Sequence, residues 1–125
     1  MKATFKKKER LRSKKVIGEL FELGKSFYSK PFLVIWEKTN HEQKYPAKMA
    51  VSVSKKLFKR TVYRNLLKRR IREAYRLNKH LLFKFLENKN FGVIFIFVYR
   101  EKQIMDYHSI EQGMISALQQ LRQNL

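Results

Sequence analysis

Between Lys59 and Arg76 the stretch KRTVYRNLLKRRIREAYR carries eight Lys or Arg in eighteen residues, with Glu73 as its only acid. Such side chains grip rather than react. A guanidinium fork meets two phosphate oxygens at once, and an amide such as Asn65 both donates and accepts at a base edge or ribose. On a helical wheel with Arg64 at 0°, Lys68 falls near about 40°, Arg72 about 80°, Asn65 about 100°, Arg76 about 120° and Arg69 about 140°. Tyr63, Leu66, Leu67, Ala74 and Leu77 fall between about 200° and 300°, the side expected to dock on the domain. Arg70 lies among them, with a stem long enough to snorkel past the core edge. Solvated helix faces are ordinarily laced by Glu–Lys pairs, and that lacing is missing here. The cationic side therefore reads as a polyanion-binding face, though the helix alone does not separate RNA from DNA.

Catalytic groups are harder to find. A two-metal nuclease needs converging carboxylates, but the chain has one aspartate, Asp106, and nine dispersed glutamates. His41, His80 and His108 are scattered, and no G-x-x-x-x-G-K loop occurs among the four glycines. There is no cysteine, which removes disulfide frameworks, zinc–thiolate sites and thiol catalysis together. No catalytic residue and no protein-held metal are assigned.

With 125 residues the chain suits one domain. Its 44% hydrophobic content, with ten Phe, six Tyr and one Trp, can fill a modest core. A net charge of +19 and a pI near 10.4 oppose compaction unless a polyanion lies against the protein. Nucleic acid is the first candidate, through counterion release, and an anionic membrane surface the second. The start, MKATFKKKERLRSKK, lacks the apolar run of a signal peptide. The longest apolar run, Phe91 to Tyr99, is about a third to a half of a membrane span. The expectation is a soluble, cytoplasmic protein.

The elements that must position the basic helix follow from patterning. Residues 1–12 form a basic arm with Phe5 and Leu11 as anchors. Ser13 caps a helix to Leu23, where Gly24 ends it, and Val16, Ile17, Leu20 and Phe21 share one arc of about 140°. A strand is predicted over 30–38, a polar hairpin loop over 39–48 and a second strand over 49–54. The basic helix runs from Thr61 into the high seventies, with a further helical piece over 79–88. Phe91–Tyr99 reads as a strand in the middle of a sheet, buried on both sides. Asp106 or Ser109 caps a last helix striped by Ile110, Met114, Ala117, Leu118 and Leu121. The order is helix, two or more strands, helix, strand, helix: a small α/β domain around one sheet.

At this point a family resemblance enters. The pattern K-x-x-V-x-R-N-x-x-K-R-x-x-R, here Lys59, Val62, Arg64, Asn65, Lys68, Arg69 and Arg72, preceded by SVSKK at 52–56, resembles the signature of the bacterial ribonuclease P protein component. ERLRSKKVIGELFELGKSF near the start and the segments after Phe91 extend the likeness over nearly the whole chain. Thr61 stands where the family usually has Ala, and Ala50 where a Gly commonly precedes SVSKK. The resemblance implies a single domain over 1–125 of α+β type. It would have about four strands and three helices in the order α-β-β-β-α-β-α, with a left-handed βαβ crossover.

It also implies a function: binding a large catalytic RNA and, with it, removing the 5′ leader of precursor tRNA. Lys59, Arg64, Asn65, Lys68, Arg69 and Arg72 would contact the RNA subunit, and Mg²⁺ would be held mainly by that RNA. The leader would lie between the first helix and the sheet, against Ile17, Phe21, Ile35, Ser52, Ser54, Lys55 and Arg100, with Trp36 and Tyr99 as further stacking candidates. No membrane and no small-molecule substrate are implied. A basic ribosomal-type protein, a DNA-binding module and a stand-alone nuclease are the rivals. The first does not predict this arginine–asparagine spacing, the second lacks a visible dimerisation heptad or turn-linked helix pair, and the third lacks the carboxylates.

Overall fold

A computed structural model describes residues 5–40 and 46–125. His41 and parts of the predicted arm and 39–48 loop lie outside the described residues.

The apolar run predicted to be central is the strand from which the rest is built. Numbered in chain order, the strands are β1 (Lys25–Ser29), β2 (Phe32–Asn40), β3 (Ala47–Ser52) and β4 (Phe91–Tyr99). They form one sheet in the order β1-β2-β4-β3. β4 runs antiparallel to β2 over its full length and parallel to β3. A strand with neighbours on both edges and helices on both faces has no solvent side, which is why its sequence shows no polar alternation.

Four α-helices complete the domain: α1 (Lys14–Leu23), α2 (Thr61–Asn78), α3 (His80–Leu86) and α4 (Tyr107–Asn124), after a short 3₁₀ turn at Lys7–Glu9. α2 and α4 cover one sheet face. There Phe32, Val34, Trp36, Met49, Phe95, Phe97 and Tyr99 meet Leu67, Ile71, Tyr75, Ile110, Met114 and Leu118. Each such side chain contributes about 1.5–3 kcal/mol by leaving water. The opposite face is thinner, with Leu20 of α1 and Leu11 of the arm packing on Ile35, Ile94, Ile96 and Val98.

The caps fall where predicted. The Ser13 hydroxyl accepts from the Val16 amide at 3.2 Å and the Asp106 carboxylate from the Ser109 amide at 2.8 Å. Gly24 follows α1 for want of space rather than for its backbone angles. Its φ is −69°, while a Cβ there would sit 2.5 Å from the Leu20 carbonyl.

Several expectations need correction. β1 supplies the third strand before α2 that the resemblance implied but the patterning did not locate, and the strand placed at 30–38 starts at Phe32, because Lys30 and Pro31, joined by a cis peptide bond, form the β1–β2 turn. The segment 39–48 does not close a hairpin, since β4 lies between β2 and β3. The strand placed at 49–54 is shifted to Ala47–Ser52, leaving Ser54 outside it. Four α-helices stand where three were expected, because the piece after Lys79 is separate from α2. The parallel neighbours β3 and β4 are joined through α2 and α3.

The β1–β2 turn rests on α4 at Gly113, where a Cβ would lie 2.8 Å from the Lys30 carbonyl and would also strike the Pro31 ring. Gly113→Ala should therefore destabilise the protein by about 1–3 kcal/mol in urea unfolding, despite the better helix propensity of Ala. Gly18, in α1, has nothing within 4 Å of the same position. Gly18→Ala should raise stability by about 0.5–1 kcal/mol.

Candidate nucleic-acid interface

The buried side of α2 consists of Leu67, Ile71, Ala74 and Tyr75. This arc lies at about 280° through 20° on the wheel used above, rotated from the predicted one. Tyr63 and Leu77 are exposed instead. The rotation brings Arg64 and Lys68 to the edge of the core, where both are half-buried, and leaves Asn65, Arg69 and Arg72 fully outward, with Lys59 exposed just before the helix.

The cations of α2 thus divide by task. Arg64 donates to the carbonyls of Phe58 at 2.8 Å and Lys59 at 2.9 Å and to the Thr61 hydroxyl at 3.0 Å, tying down the entry to its own helix. Arg70, the residue that broke the wheel's segregation, donates to the Met105 carbonyl at 2.7 Å. Tyr99 holds the same loop, donating to the Gln103 carbonyl at 2.6 Å and accepting from the Met105 amide at 3.2 Å. Arg76 pairs with Glu73 at 2.5 Å. Asn65, Arg69 and Arg72 face solvent as the core of the cationic surface.

The arm adds cations that the sequence reading did not assign. Its path is fixed by Leu11, which is buried and donates its amide to the Met49 carbonyl at 3.0 Å, alongside a parallel bridge between Arg10 and Met49. Arg10 and Arg12 flank that anchor and are exposed. Between arm and α2 runs a groove of about 420 Å³ lined by Phe5, Arg10, Arg69, Arg72, Glu73 and Arg76. A smaller hollow of about 200 Å³ continues it past Arg12 toward Ala50 and Val51 on β3. Partial burial, then the Arg10 charge, lower the Arg72 pKa. Arg10 and Arg72 thus share one groove, in which Glu73 is the carboxylate among the lining residues. The signal available in the sequence was the cation–apolar–cation spacing of R-L-R at 10–12.

On the thinner sheet face, the register aligns Tyr28, Leu33, Val98 and Ser52 in one row and Ser26, Ile35, Ile96 and Ala50 in the next. α1 covers the second row: Ile35 is 6% exposed, and Ile17 packs half-buried on its cluster. Phe21 remains 49% exposed. Ser52 is half-buried beside Val98, and Lys55 and Arg100 are exposed. Ser54 closes a turn, its hydroxyl accepting from the Lys56 amide at 2.9 Å. Tyr28 is a further aromatic on this face, 54% exposed, with its hydroxyl 3.2 Å from the Glu101 carboxylate. It went unassigned because β1 did. Trp36 and Tyr99 are no stacking platforms: both are buried on the opposite face, at 4% and 0% exposure.

His80 and His108 are exposed on α3 and α4. Among the described residues no three His, Cys, Asp or Glu side chains come together as metal ligands. Among the same residues no helix is long and apolar enough to cross a membrane.

The division of labour on α2 has a measurable consequence. Arg64→Ala should cost about 1–2 kcal/mol of folding stability through its lost backbone bonds. Arg69→Ala should change stability by less than about 0.5 kcal/mol. Urea titrations of the two variants check the contrast.

Comparison with known proteins shows the family and the fold. The profile of the Ribonuclease P family matches residues 5–122. The ribonuclease P protein component of Porphyromonas gingivalis is 36% identical over 125 aligned residues, covering 98% of this chain and 91% of that protein. That of Petrotoga mobilis is 35% identical, covering 90% and 86%. Among solved structures, the RNase P protein from Thermotoga maritima superposes with a TM-score of 0.71 at 25% identity, covering 90% of this chain and 96% of that one. An RNase P protein of Staphylococcus aureus, at 23% identity and a TM-score of 0.66, shares the fold over 90% of this chain and 94% of its own. The chain belongs to the bacterial ribonuclease P protein family, the protein component of a tRNA-processing endoribonuclease.

Proposed function

We propose that this protein works as an electrostatic clamp for a catalytic RNA and supplies no reactive group of its own. The observation that carries the reading is the outward row Asn65, Arg69 and Arg72 on α2, whose one neighbouring acid, Glu73, is engaged with Arg76. Lys59, Arg64 and Lys68 extend that row at its edges, and Arg64 holds the helix entry in shape for it. Each phosphate neutralised releases counterions and steepens the salt dependence of binding by about 0.7–0.9 in log–log slope.

The 5′ leader of precursor tRNA is assigned to the thinner sheet face. Phe21 and Ile17 of α1 offer apolar contact, Ile35 supports them from beneath, and Ser52, Ser54, Lys55 and Arg100 line the polar side. An exposed aromatic beside cations is the usual means of holding an unpaired strand. Mg²⁺ stays with the RNA, where it supplies the metal-activated water for phosphodiester hydrolysis. Among the described residues the carboxylates form no cluster of three that could hold the ion. The protein screens repulsion between two large RNAs, fixes the leader and lowers the Mg²⁺ concentration needed. This work belongs in the cytoplasm, with tRNA precursors and the RNA subunit as partners and neither membrane nor small-molecule substrate involved.

A cleavage assay on end-labelled precursor tRNA at low Mg²⁺ tests the reading. Product is expected only when protein and RNA subunit are both present, and product from the protein alone would return the chemistry to this chain. In the same system, Phe21→Ala should weaken binding of leader-bearing tRNA by about five- to 150-fold, the range of one stacking contact, while sparing mature tRNA. Equal losses for both would make Phe21 a structural residue only.

A further inference from the structure

Glu9 and Lys79 are the two charged residues buried among the described ones, at 2% and 4% exposure, with Nζ and Oε1 2.5 Å apart. Seventy positions separate them, so the pair fastens the arm to the α2–α3 junction. The second Glu9 oxygen accepts from the Lys6 amide at 2.8 Å, closing the 3₁₀ turn. Beside the pair, Phe5 meets Tyr75 edge-on at 5.4 Å, and Lys79 lies over the Phe83 ring at 5.1 Å. Next along the chain come Arg10 and Arg12.

Burying an ion pair is a poor way to gain stability, because desolvation offsets most of the attraction. An arm needing only to be stuck down has Phe5 and Leu11 for the purpose. What those apolar contacts do not oppose is the repulsion between Arg10 and Arg72, which acts on the residue adjacent to Glu9. An ion pair also fixes orientation, which an apolar contact does loosely. We propose that the Glu9–Lys79 pair is a positioning device that holds Arg10 and Arg12 beside Arg69 and Arg72, so that RNA phosphates in the groove are gripped from two elements. This rests on the RNA-binding reading of α2. Glu9 and Lys79 touch no RNA in this scheme; Arg10 and Arg12 do.

The test measures RNA-subunit affinity against KCl concentration at fixed Mg²⁺, for the full chain and its variants. Arg10→Gln with Arg12→Gln should flatten the log–log slope by about two and weaken binding about ten- to thirtyfold at 0.15 M salt. Lys79→Met should reproduce that loss, and adding the two arginine changes to it should cost little more. Hydrogen exchange should show the Leu11 amide losing protection in Lys79→Met while amides of β4 keep theirs. Glu9→Gln, a milder change, should move slope and Leu11 protection the same way, and it carries the test if Lys79→Met does not fold. A merely structural pair would instead lower global stability and leave the arginine losses additive. Additive losses, or an unchanged slope when Leu11 protection is gone, would overturn the proposal. Arg69→Ala separates the two claims. If it weakens binding and the arm arginines do not, the arm proposal falls alone; if neither weakens binding, the reading of α2 falls and takes the proposal with it.

Discussion

Like charges held side by side set the terms for this fold. Arg10 and Arg72 line one groove, where partial burial and then the Arg10 charge lower the Arg72 pKa, in a chain carrying a net +19. Solvent and salt screen such repulsion at a surface, yet it still opposes compaction, so the elements that bear it must be held stiffly. That stiffness comes from β4, paired on both edges, and from Tyr75 on the buried arc of α2, which packs against Phe95 and Phe97. The helix can carry unpaired cations outward because its inner face is anchored in the densest part of the core.

The two faces of the sheet divide the remaining work. Beneath α2 and α4 the packing is thick and aromatic, and its few polar groups serve geometry: Tyr99 and Arg70 converge on the loop that follows β4, the loop that begins with Arg100. Beneath α1 the packing is a single aliphatic layer, so Ile17 and Leu33 stay half-covered and Phe21 stays out. A thin layer leaves partly apolar side chains uncovered on the same side of the sheet as exposed cations. The proposed contacts to the RNA subunit and to the leader are assigned to different faces on the strength of this asymmetry.

Much of this was legible in the sequence because it rests on local pattern. The nine-residue run of β4, the α4 stripe and the caps at Ser13 and Asp106 are short-range signals, and each stands where the pattern put it. What was not legible depends on tertiary contact. β1 is five residues of weak alternation, and it becomes a strand by pairing with β2. The rotation of α2 escaped the wheel because Arg64 and Lys68 look like surface residues, yet both are half-buried, and the Arg64 guanidinium turns back onto the helix entry. Glu9 and Lys79 each look like ordinary solvent-facing charges; only the fold brings them together. Arg70 was recognised as out of place, but its partner, a backbone carbonyl on a distant loop, has no sequence signature.

The claim beneath all of this is that RNA is met by the guanidinium groups of α2 and the arm. Arginine-selective chemical modification, read residue by residue with mass spectrometry on the protein free and bound to the RNA subunit, addresses it directly. Arg10, Arg12, Arg69 and Arg72 should be shielded by the RNA, while Arg122, exposed near the end of α4, should react as it does in the free protein. Shielding of Arg122 with continued reaction at Arg69 and Arg72 would put the RNA on the wrong side of the molecule and contradict the account.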